Sequence, residues 1–194
     1  MPAPILIVFA VAAAAIGVSY AFSADARTRR GLKKQRVAMI HGLRDGELAR
    51  VRGRVVALED VLGGPLSDRT CVYYLATVET QSGNNNHWRE VAREERFVDF
   101  VIDDGTGRLH VCMSVPRVAV VRDLNTRSGT FDDANAAEDG FLRRHGLKSV
   151  NAFGLNISLR YREGALEPGE PVTVLGLARH EDIDGVRMLV IDAP

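Results

Sequence analysis

The sequence predicts a mainly β domain, an OB-like or related small barrel or sandwich, carried on one N-terminal transmembrane helix. Three observations carry that prediction. Ile5 to Phe22 runs for eighteen positions without a charge. From Leu48 onward, short alternating apolar and polar stretches recur between turn sequences, the pattern of sandwiches and small closed barrels. No amphipathic helices alternate with those stretches, which argues against a βαβ sheet.

As a helix the apolar run is about 27 Å long, close to the ~30 Å hydrocarbon core of a bilayer. Arg27, Arg29, Arg30, Lys33, Lys34 and Arg36 follow it, whereas no charged side chain precedes it. The positive-inside rule then places the chain after Arg27 in the cytoplasm. A cleaved signal peptide is the rival reading, with Ala21 and Ser23 as a small-x-small cleavage signal. Met1-Pro2-Ala3-Pro4 lacks the basic n-region such a peptide needs, so a retained single-pass anchor is expected at the cell membrane. Ala13, Gly17 and Ala21 have small-xxx-small spacing, which would allow an anchor-mediated homodimer. The expected organisation is an anchor at 4–23, a basic juxtamembrane linker at 24–45 and a β domain at 46–194.

Zero net charge conceals a division. Residues 1–45 carry +5 and the remainder −5. A negative β domain is a poor holder of phosphate backbones, so nucleic acid is not expected as a partner. The basic collar is better suited to lipid headgroups. The only cysteines are Cys71 and Cys112; they cannot assemble a zinc ribbon or a disulfide framework. Both fall in predicted strands and read as small buried side chains, reduced in a cytoplasmic setting.

Taken in order, Arg36 to Arg44 reads as a short helix that Asp45-Gly46 breaks. Leu48 to Leu58 is the first strand and Cys71 to Glu79 the second. Gly83-Asn84-Asn85-Asn86 reads as an exposed hairpin tip before His87-Trp88. Phe97 to Ile102 and Arg108 to Ser114 flank Asp103-Asp104-Gly105-Thr106-Gly107, a hairpin turn. Asn125 to Gly154 changes character and reads as an insertion, loop-like through Asn135 and helical from Ala136 to His145. Pro171 to Leu177 and Val186 to Ile191 flank Asp184-Gly185, a second hairpin.

The chemical motifs are sparse. Ser67 lies in a glycine-containing loop without the G-x-S-x-G elbow, so it reads as a turn residue. Asp103, Asp104, Asp182 and Asp184 lack the spacing of an EF-hand loop and read as turn formers. His110 and Cys112 share a strand face and could be half of a metal site. No second pair matches them, so no metal and no cofactor is expected. His41, His87, His145 and His180 are scattered. Arg143, Arg144, His145 and Lys148 form a small basic spot.

Gly64-Pro65-Leu66-Ser67-Asp68-Arg69-Thr70-Cys71-Val72-Tyr73-Tyr74, Trp88, Phe100 through Gly107, and Tyr161 through Gly169 occur in an order that resembles a known series. It is similar to the GIDE domain, also called the beside-a-membrane domain, of mitochondrial ubiquitin-ligase proteins and their prokaryotic relatives. Asp68 and Thr70 stand where relatives often carry glycine and proline. The resemblance implies a membrane-tethered β domain beside one or two transmembrane helices. Eukaryotic members add a RING finger with about eight Cys/His ligands, which two cysteines do not supply, so ubiquitin-ligase activity is not expected. The resemblance would put the domain outside, facing an intermembrane space, whereas the local charges put it inside. The charges act directly on insertion, and they set the expectation here.

The expected function is therefore a single-pass membrane-anchored, non-enzymatic binding or scaffold domain with an unidentified protein partner. Trp88, Arg143, Arg144 and Tyr161 are the candidate contact residues, since aromatics and arginines dominate interface energetics. The alternative is a membrane-associated enzyme, ubiquitin-ligase-related or hydrolytic, with a catalytic set around Ser67, His110 or His145.

Overall fold

The computed structural model describes residues 35–82, 87–112, 123–128, 134–150, 157–183 and 186–192. The expected anchor, most of the basic linker, the 83–86 tip and the Asp184-Gly185 turn lie outside them. Among the described residues no helix is long and apolar enough to cross a membrane.

In chain order the elements are β1 (Val37–Ala38), β2 (Glu47–Ala57), β3 (Leu62–Gly63), β4 (Thr70–Cys71), β5 (Tyr73–Ser82) and β6 (His87–Phe97), followed by β7 (Phe100–Asp103) and β8 (Arg108–Val111). After these come β9 (Leu124–Ser128), α1 (Ala136–Arg144), β10 (Leu159–Leu166), β11 (Pro171–Ile183) and β12 (Val186–Asp192). The segment expected to be helical at Arg36 to Arg44 is instead the short β1 and a single 3-10 turn, Ile40–Gly42. Its residues are used for capping: Ile40 is buried in the barrel core, and its backbone N–H donates to Asp104 Oδ2 at 2.9 Å.

Strands β2, β7, β8, β12 and β11 close on themselves into a barrel. All neighbours in that circuit are antiparallel except β8 and β12, which run parallel. Ala49, Val51 and Val55 on β2 face inward with Phe100, Ile102, Leu109, Val111, Ala178 and Ile191. Closure depends on a close approach at Gly53, which continues that inward series. A Cβ there would sit 2.5 Å from the Asp103 carbonyl oxygen and 2.5 Å from Ile102 Cγ2. The β7–β8 hairpin is as the turn sequence predicts. Gly105 has φ 83°, and the Asp104 carboxylate accepts from the backbone of Thr106 and Gly107.

The second layer comes from two long barrel connections. The chain between β2 and β7 supplies β5 and β6, and the chain between β8 and β11 supplies β9, α1 and β10. Together they form a four-stranded antiparallel sheet in the order β6-β5-β10-β9. Alternation on β5 divides its burial in two: Tyr73 and Leu75 join the barrel core, while Tyr74, Ala76 and Val78 pack with Phe141 and Leu142 of α1. The helix is held at its start by a capping box, with Asn135 Oδ1 accepting from Glu138 N and Glu138 Oε2 accepting from Asn135 N. The other oxygen of the buried Glu138 accepts from the Thr126 hydroxyl, which ties α1 to β9.

Candidate functional site

Two sequence blocks from opposite halves of the chain meet at Glu163. This carboxylate is fully buried on β10, where an unpaired charge would be costly. Its Oε2 accepts from Leu66 N at 2.8 Å, and its Oε1 accepts from the Ser67 hydroxyl. Arg69 reaches it at 3.6 Å while forming a two-point contact with Asp123 and a 2.9 Å pair with Glu167. The Asp123 hydrogen bond raises the already high pKa of Arg69, and the same bond holds the Asp123 carboxyl below its ordinary range. Gly64 is required by proximity, because a Cβ would come within 2.6 Å of Glu163 Oε1. Asp68 has φ 56°, a left-handed conformation that glycine adopts freely and aspartate tolerates.

The neighbouring thiol belongs to the same buried environment. Burial pushes Cys71 up to about 11, and the Glu163 charge adds to the rise. It is a free cysteine in the core, as the composition suggested, whereas Cys112 lies just past β8 and is half-buried. The hydroxyl of Ser67 contacts Glu163 and the guanidinium of Arg69. His145, another of the groups invoked for a hydrolytic set, instead pairs with Glu94 at 3.1 Å. Burial alone would raise Glu94, yet hydrogen bonds from Tyr74 and His145 outweigh it and leave the carboxyl lowered. Tyr74, pushed up to about 12 by burial and by that bond, stays a donor.

The residues singled out for contact do not gather at one place. Trp88 is half-buried on β6, with the Arg160 guanidinium 4.5 Å and the Arg127 guanidinium 5.7 Å from its ring centroid. Register accounts for this: Arg127 pairs with Arg160 and Arg160 with Glu79, which puts them on the same sheet face as Trp88. Arg160 also meets Glu79 at 2.5 Å. Arg143 and Arg144 belong to α1 on the opposite face, both exposed. Arg144 lies 3.9 Å from Glu94 and over the Phe141 ring. Tyr161 is 0% exposed, its hydroxyl 3.3 Å from Ser128 Oγ, so it cannot present a ring to a partner. The signal missed was the apolar alternation of Leu159, Tyr161 and Ala165. Of the residues expected to flank a membrane only Arg36 is described, and it is exposed; Arg27, Arg29, Arg30, Lys33 and Lys34 lie outside the described residues.

A closed five-stranded barrel carrying an insertion sheet, with a buried carboxylate locking a glycine-containing turn, defines a mainly β domain of one particular build. The GIDE family model, described as E3 Ubiquitin ligase, matches residues 73–190, from β5 into β12, and the chain belongs to that family. Comparison with curated proteins and with solved structures gives no match.

Proposed function

We propose that the chain is a single-pass, membrane-anchored binding module of the GIDE family, without an enzymatic role of its own, whose OB-like barrel faces the cytoplasm and supports a protein-recognition surface. The carrying observation is the stacking of Arg160 and Arg127 on Trp88. Cation–π contacts fix these side chains on the sheet face, and a preordered Trp–Arg cluster is the composition of an interface hot spot. The sheet is built wholly from barrel connections, where recognition residues concentrate. Ser67, the nucleophile of the hydrolytic reading, hydrogen-bonds to a buried carboxylate and an arginine, an arrangement that positions a turn.

Arg127 is exposed and suits a protein partner that presents acidic side chains, while Arg160, held by Glu79, keeps the Trp88 ring in place; the lipid bilayer is the second surface contacted by the chain. The test is affinity capture from solubilised membranes with the full chain as bait. Trp88→Ala is expected to weaken binding to the captured partner by about 2 kcal/mol, roughly thirtyfold. Capture of no specific partner, or equal affinity for the variant, would reject the recognition surface. Orientation has its own measurement. A compartment-sensitive reporter fused after Pro194 is expected to be active on the cytoplasmic side, and activity confined to the opposite side reverses the assignment.

A further inference from the structure

We propose that Asp99, His110 and Cys112 form a binding site for a zinc ion, with one coordination position left to water. The β7–β8 register pairs Phe100 with Val111 and Val101 with His110. Continued by one residue, it sets Asp99 across from Cys112. His110 and Cys112 are two apart and share a face by strand alternation. Phe100, Ile102, Leu109 and Val111 fill the barrel core, so the three donors lie on its outer side. Asp99 belongs to the short bend where the insertion sheet returns to the barrel, just after Val98 N donates to the Val72 carbonyl at 2.9 Å.

The donor atoms of the three residues all lie within 4.8 Å of one another, and Cys112 Sγ is 3.4 Å from His110 Nδ1. Zinc takes thiolate, imidazole and carboxylate at about 2.0–2.3 Å in a tetrahedron whose donors are roughly 3.5 Å apart. Side-chain adjustments on the order of 1 Å would reach that arrangement. A Cys–His–Asp nucleophile is the competing use of these residues. It would place sulfur and carboxylate on opposite ring nitrogens, roughly 7 Å apart, whereas here they converge. Mixed nitrogen and sulfur donors also disfavour magnesium and calcium, which prefer oxygen. His110 is 8% exposed, Cys112 half-buried and Asp99 exposed, so the site has a buried floor and an open mouth. Three protein ligands with an open fourth position is the arrangement that lets zinc hold water.

The experiment uses the full chain in detergent, stripped with a chelator and titrated with Co²⁺ and then Zn²⁺. The expected result is one Co²⁺ per chain with a thiolate-to-cobalt charge-transfer band, displaced by Zn²⁺. Cys112→Ser abolishes the band and Cys71→Ser retains it. His110→Asn and Asp99→Asn each weaken Zn²⁺ binding by about tenfold or more. Zn²⁺ raises the Tm of the parent chain, as any ligand selective for the folded state does, and leaves that of Cys112→Ser unchanged. No band in the parent chain, a band that survives Cys112→Ser, or Zn²⁺ affinity indifferent to Asp99→Asn overturns the proposal. Asp99 is exposed, so its substitution decides the matter even where His110→Asn fails to fold.

Discussion

Glu163→Ala is expected to destabilise the domain by about 3–5 kcal/mol, from the unsatisfied buried donor it leaves together with the cavity it opens. The substitution leaves the buried Leu66 N–H without its acceptor and the Ser67 hydroxyl without its strongest partner. It also opens a void beside Gly64, whose backbone lies close against that carboxylate. Arg69 is not the main loss, because Asp123 and Glu167 continue to hold it. Glu163→Gln tests that division. The amide keeps the volume and one acceptor while giving up the charge, so a loss of about 1–3 kcal/mol is expected. The single tryptophan, Trp88, lies on β6 of the same sheet and reports unfolding by fluorescence. Denaturant midpoints equal to the parent for both variants would show that Glu163 does not anchor the 64–69 turn.

That carboxylate also marks where the sequence stops being readable. Barrel strands β2, β7, β8, β11 and β12 were legible because their alternation faces one apolar core and two of their connections are only a few residues long. Strand β6 was legible only at His87-Trp88. Arg89, Glu90, Arg93, Glu94, Glu95 and Arg96 mask its period, a composition allowed at the edge of a sheet. Strand β10 is central, yet Arg160, Arg162 and Glu163 broke its apolar pattern. Its charges are satisfied by partners far away in sequence: Glu79 for Arg160, and Leu66 and Ser67 for Glu163. No local window contains such pairs.

The candidate site was readable to the same extent. Trp88 could be nominated by residue type, but Arg127 and Arg160 become its neighbours only through the β9–β10–β5–β6 register. The His110–Cys112 pair was visible from period two, and Asp99 joins it only once the hairpin register is known. The Gly64–Arg69 and Tyr161–Gly169 blocks were visible as parts of a resemblance. Their meeting at Glu163 gives them a physical reason: one supplies a turn with inward N–H and hydroxyl groups, the other the buried acceptor.

Tyr161→Ala is expected to cost about 3–5 kcal/mol, as for other large buried aromatics, and the reason concerns which face of β10 it occupies. Leu159, Tyr161 and Ala165 all point toward α1 and pack with Phe141 and Leu142. Truncating the ring removes the middle of that layer, so α1 loses the surface against which its apolar stripe is buried. Tyr161→Phe should cost about 1 kcal/mol or less, because only the 3.3 Å contact with Ser128 is lost. The pair of variants separates a core role from a contact role. If the ring packs, Phe restores stability and leaves partner capture intact, while Ala lowers the thermal midpoint and releases α1. If Tyr161 instead touched a partner through its hydroxyl, Phe would impair capture at unchanged stability, and the assignment of β10's inner face would have to be reversed.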